Sequence, residues 1–191
     1  INGMIVDGGM STWLDNAATG VVAAYEQNGL LGKAITVDNA GVIQGGVSAL
    51  VLGGDAGRVV NTGTIEGGSG AGIASVTTAG TSVVNSGAIT GGVVGIGTEG
   101  GLALENTGRI SGGFVAVKAV GGSTIDNRAG GEIVSEGSAI EIVASHHVSV
   151  NGTMDVSGAQ GTDNHYDGAG GGAGGSVLLR SRTMSIDGTI R

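Results

Sequence analysis

Short apolar pieces recur along this chain at a steady interval, and small or polar residues separate them. One block reads Val59-Val60-Asn61-Thr62-Gly63-Thr64-Ile65-Glu66-Gly67-Gly68. The next reads Val83-Val84-Asn85-Ser86-Gly87-Ala88-Ile89-Thr90-Gly91-Gly92, and a third Leu104-Glu105-Asn106-Thr107-Gly108-Arg109-Ile110-Ser111-Gly112-Gly113. An earlier copy is Val37-Asp38-Asn39-Ala40-Gly41-Val42-Ile43-Gln44-Gly45-Gly46. The shared pattern is aliphatic-x-Asn-x-Gly-x-Ile-x-Gly-Gly. Its asparagines, Asn39, Asn61, Asn85, Asn106 and Asn127, are spaced 22, 24, 21 and 21 residues apart. Two copies are stretched: Asn16 to Val22 and Asn127 to Ile133 each take six residues where the others take four. A further aliphatic residue follows each asparagine by 11 to 13 positions, at Leu50, Ile73, Ile96, Val117 and Ile140.

A period in the low twenties with three apolar pieces per period predicts three short strands per turn, alternate residues pointing inward. No turn of this kind buries its apolar face alone; stacking creates the core. The expected fold is therefore all-β: a right-handed parallel β-helix (β-solenoid) of about 7–9 triangular coils, each of roughly 21–24 residues. Residues 43, 65, 89, 110 and 133 would form one inward column and residues 50, 73, 96, 117 and 140 another. The glycines fit sharp corners that need positive φ. The asparagines at one corner would stack their amides into a ladder. Proline is absent, as strands paired on both edges require. Helical repeats have longer periods and few glycines, so they do not fit. Residues 1–150 are expected as regular coils with an atypical first coil. Residues 151–191 continue the solenoid with a Gly-rich inserted loop at 157–175, although those glycines could instead stack as a tight coil edge.

Composition narrows the choice. The 191 residues include 43 glycines, no cysteine and four aromatics (Trp13, Tyr25, Phe114 and Tyr166), yet 40% are hydrophobic. That is too apolar for a disordered chain, and without proline or a strict triplet period it is not collagen. A net charge of −8 argues against nucleic acid as a partner. Zero cysteine removes disulfides and thiolate metal sites. No apolar run approaches the roughly 20 residues of a membrane helix. The chain starts at Ile1 and stops at Arg191 in mid-pattern, which suggests a piece of something longer.

The Asn-x-Gly-x-Ile pattern resembles the passenger regions of bacterial autotransporters and secreted adhesins of the filamentous-haemagglutinin type. The run Gly170-Gly171-Gly172-Ala173-Gly174-Gly175-Ser176-Val177-Leu178-Leu179 is similar to segments of very large bacterial surface proteins. The resemblance covers residues 30–191 and is specific for architecture. It implies export, an extracellular or outer-membrane-associated position at the cell surface, and a role in adhesion, aggregation or matrix building. The implied partners are other protein chains, bound end to end or laterally, or surface glycans. It implies no cofactor and no catalytic motif.

Candidate chemistry is sparse. Asp163-Asn164-His165-Tyr166-Asp167-Gly168, with Asp155 upstream, offers oxygen ligands for calcium, of which Asp163 and Asp167 are the metal candidates; an exposed polar loop tip is the plainer reading. His146-His147 precedes a strand in which neighbours face opposite ways, so the pair is poorly placed to chelate. A polysaccharide-acting enzyme would need clustered carboxylates, but Glu66, Glu99, Glu105 and Glu141 occupy different places in the repeat. Trp13 is expected to cap the core, with a carbohydrate-stacking role as the alternative. Arg180, Arg182 and Arg191 would make a small basic patch. Three functions follow as expectations: a non-catalytic structural or adhesive surface segment, a subunit of a self-assembling filament through coil stacking, and a polysaccharide-acting β-helix enzyme.

Overall fold

The structure, a computed structural model, describes residues 4–136, 139–143, 147–157, 163–164, 167–168 and 175–191. Among these residues there is no helix. Most strands are short, of two to five residues, and many end at a glycine or asparagine corner. They stack as three parallel columns, which are the three sides of a β-solenoid. Side three is an 8-stranded sheet beginning at Val21–Ala24 and Val42–Gly45 and ending at Thr153–Asp155 and Thr189–Ile190. Side one contains Leu50–Gly53, Ala71–Ser75, Val94–Thr98, Val115–Ala119, Ala139–Val143 and Ser176–Arg180. Side two contains Gly57–Asn61, Thr81–Asn85, Leu102–Asn106, Thr124–Asn127, His147–Val150 and Thr183–Ile186. The 10-residue strand Leu30–Asn39 runs through both sides and joins them into a 14-stranded sheet. Met4–Asn16 pairs along it, with a register break between Asp7 and Thr12.

Register follows sequence identity. Ile43, Ile65, Ile89, Ile110, Ile133 and Met154 pair in succession on side three, and all six are fully buried. Leu50, Ile73, Ile96 and Val117 do the same on side one. Side two adds Val59, Val83, Leu104, Ile125 and Val148. Like side chains lie over like, so each inward residue fills the same space in every turn, and β-branched residues suit such pleated packing.

Between residues 16 and 150 the chain closes six turns, marked by the asparagine separations of 23, 22, 24, 21 and 21 and by the pairing of Asn127 with Val150. This is slightly fewer than the seven to nine coils expected. His147 and Thr183 are neighbours in adjacent strands although 36 residues separate them, so the stretch between them carries a long insertion. Of the expected loop at 157–175, only Ser157, residues 163–164 and 167–168, and Gly175 lie among the described residues.

The glycines act differently from the simple corner rule. Positive φ among the described residues occurs at Gly54, Gly80, Gly121, Gly130 and Ala34, chiefly at the junction of sides one and two. The glycine of the Asn-x-Gly motif is not among them. It is required for close approach: a Cβ on Gly87 would overlap the carbonyl oxygen of Gly63, one turn below.

Candidate functional site

The inner corner between sides two and three carries a continuous amide ladder. Each Nδ2 donates to the Oδ1 one turn on, from Asn16 to Asn39 (2.6 Å), then to Asn61 (2.7 Å), Asn85, Asn106 and Asn127 (each 2.8 Å). The same Nδ2 groups donate to backbone carbonyls of two turns. Asn85, for example, reaches Gly87 O at 3.2 Å and Arg109 O at 3.3 Å. Carbonyls such as Gly87 O also accept a backbone N–H from the next turn, here Arg109 N at 2.9 Å, so the amides supply a second donor at a buried corner. Asn16 extends the row by one member. Val150 ends it, because a valine offers no amide. Among the described residues no buried side-chain polar atom lacks a partner.

Charged groups lie outside. Arg128 donates to Asp126 at 2.8 Å and pairs with Glu105 at 2.5 Å, and these carboxylates raise its pKa, the hydrogen bond to Asp126 most of all. Arg109 and Glu132, neighbours on side three, form a second exposed pair at 2.7 Å. The Asp155 carboxylate accepts from the Ser157 hydroxyl and its backbone N–H. Those two bonds hold it below the usual carboxylate range, the hydroxyl contributing most.

The sequence candidates fall in separate places. Asp163–Asn164 and Asp167–Gly168 form a two-residue antiparallel ladder in which Asn164 pairs with Asp167 and Asp163 with Gly168. His165, Tyr166 and His146 lie outside the described residues. Among the described residues no three His, Asp or Glu side chains gather as a metal site. His147 Nδ1 lies 2.9 Å from the Thr183 hydroxyl. Glu66 is on side three, Glu105 on side two and Glu99 at the corner after Val94–Thr98, while Glu141 pairs in register with Lys118 on side one. Arg180 ends side one, Arg182 precedes side two and Arg191 follows side three, so the three arginines stand on different parts of the turn.

Trp13 does not cap the core. It is 66% exposed on the outer surface of side two, because the alternation that buries Asn16 also turns Trp13 outward. Its flanking outer positions are Asp15, Thr36, Asp38 and Arg58. Sequence reading also missed the outer surface of side one. An open hollow of about 500 Å³ sits there, floored by Ala74 and Gly97 and edged by Val76, Glu99, Lys118 and Val120. The signal was present in parity: once the inward column is known, the intervening residues must face out. No helix among the described residues is long and apolar enough to cross a membrane. No protein-family model, curated protein or solved structure matches the chain.

Proposed function

We propose that the chain is a non-catalytic, exported structural and adhesive segment of a bacterial surface protein. The observation that supports this most is the division of labour along the solenoid. Its interior is filled by aliphatic columns and the amide ladder, while its ionisable side chains are distributed over three flat outer sides. Rigid repeats with extended, regular surfaces suit binding by area instead of by a deep cleft. The repeat's resemblance to autotransporter passengers and haemagglutinin-type adhesins supports export and a cell-surface position. Trp13, exposed beside Asp15, Thr36, Asp38 and Arg58, suits a sugar ring: an aromatic face for stacking and polar groups for its hydroxyls.

The test is surface display of this chain on non-adherent bacteria. Displaying cells are expected to bind a glycan-coated surface or to settle together, and Trp13→Ala is expected to reduce glycan binding several-fold with an unchanged far-UV spectrum. Cells that neither bind nor settle would count against the proposal. So would turnover of a polysaccharide that is lost on mutating Asp163 or Asp167, which would establish the enzyme reading instead.

A further inference from the structure

The three outer sides differ in kind. On side two the outward row runs Thr36, Arg58, Ser82, Ala103 and Thr124, and on side three Gln44, Glu66, Thr90, Ser111 and Val134. Side one presents Leu31, Val51, Ala74 and Gly97 in one outward row, followed by Lys118. Between residues 30 and 157 the exposed large hydrophobics are Val47, Val76, Val93, Phe114 and Val120, and all five border side one. Phe114 is 58% exposed and Val76 55%. A cluster of exposed apolar side chains of this kind marks an interaction face.

The surface matches itself. One corner column runs Val47, Gly70, Val93, Phe114, tied by hydrogen bonds from Gly70 N to Val47 O, Val93 N to Gly70 O and Phe114 N to Val93 O. The opposite corner runs Val76, Glu99, Val120, each following strands that pair in register. A two-fold axis laid along the strand Val94–Thr98 sets each position one turn above against the same position one turn below. Phe114 then meets Gly70, which carries no side chain, and Val76 meets Val120. Val93 meets its own copy. Lys118 overlies Ala74 beside Glu99 of the other copy, so the two glutamates at the axis are matched by two lysines. Five turns at about 4.8 Å each, by about 20 Å of strand and corner, give roughly 1,000 Å² buried over both copies, at the small end of specific contacts.

We infer that the outer surface of side one is the contact face of an antiparallel dimer of this chain. The two solenoids lie side by side with their axes reversed, and Phe114 of each lies over Gly70 of the other. An exposed aromatic that becomes covered is a usual energetic anchor of an interface.

Sedimentation of the purified chain at micromolar concentrations tests this. A dimer is expected. Phe114→Asp is expected to weaken it by about 30-fold or more, with far-UV spectra unchanged because Phe114 lies outside the core. Ser82→Asp, on side two, is expected to leave it intact. The chain has no cysteine, so cross-linking reports register directly: oxidised Val93→Cys should link into a covalent dimer, whereas Val47→Cys, about 19 Å from its copy at four turn spacings, should not. A monomer at every concentration, a dimer or end-to-end polymer indifferent to Phe114→Asp, or equal cross-linking at both cysteine positions would overturn the inference.

Discussion

At the residue scale the buried amides decide more than their number suggests. Asn85 accepts from Asn61 and donates to Asn106, Gly87 O and Arg109 O. Replacing it with valine takes the donor from the buried Asn106 Oδ1, at about 1–3 kcal/mol, and removes one acceptor from Asn61 Nδ2, which keeps Gly63 O and Ala88 O. Asn127 has a ladder neighbour on one side only, since Val150 follows it. Asn127→Val is therefore expected to lower the denaturant midpoint less than Asn85→Val, and equal losses would show that the ladder adds nothing beyond its single bonds. Glycines divide similarly. Gly87→Ala forces the backbone of stacked turns apart and is expected to cost about 2–3 kcal/mol by overpacking. At Gly53 a Cβ would find its nearest neighbour, Val76 Cγ2, at 3.8 Å. There alanine is expected to stabilise by about 0.4–1 kcal/mol through the unfolded chain. Asp155 has a pH signature. Its lowered pKa means that its bonds to Ser157 stabilise fully above the ordinary carboxylate pKa, and that this contribution is lost as pH falls through the lowered value. Ser157→Ala is expected to move the Asp155 titration, followed by NMR, upward toward the ordinary value.

At the scale of strands and corners, the sequence carries the interior well and the exterior poorly. The inward columns are legible because parallel stacking repeats the same side chain at the same step: Ile65, Ile89 and Ile110 pair directly. The same repetition makes Ile89→Ala expensive, about 2–5 kcal/mol, because its neighbours above and below are themselves held by their turns; Ile89→Val is expected to cost only about 0.5–1.5 kcal/mol. Equilibrium denaturation of the two variants checks the ratio. Outward residues follow no column of like with like. Val47, Gly70, Val93 and Phe114 share a corner yet nothing else, so their union appears only once the turns are stacked. Trp13 was misplaced for a related reason. An aromatic at the start of a repeat array suggests a cap, but Asn16 fixes the parity of its strand and Trp13 falls on the odd positions. Asn151-Gly152-Thr153 and Asp187-Gly188-Thr189 lie 36 residues apart, yet their strands pair directly. They are stacked copies with no intervening one.

At the scale of the whole molecule, each side does a different job. Side one is bordered by Val47, Val76, Val93, Phe114 and Val120, side two carries Trp13 and the Arg128 network, and side three holds the Arg109–Glu132 pair. A rod with three unlike faces can engage a copy of itself along one and a glycan along another without competition. This separation is itself testable: Phe114→Asp is expected to leave glycan binding by displaying cells unchanged, and Trp13→Ala to leave sedimentation unchanged.

Because Asn85 and Asn106 occupy equivalent corners of successive turns, and their strands pair in register from end to end, rod length comes in indivisible units. Excising residues 86–106 would splice one corner onto its twin and yield a shorter solenoid with the same cross-section. Cutting out half as many would set every later inward residue facing water.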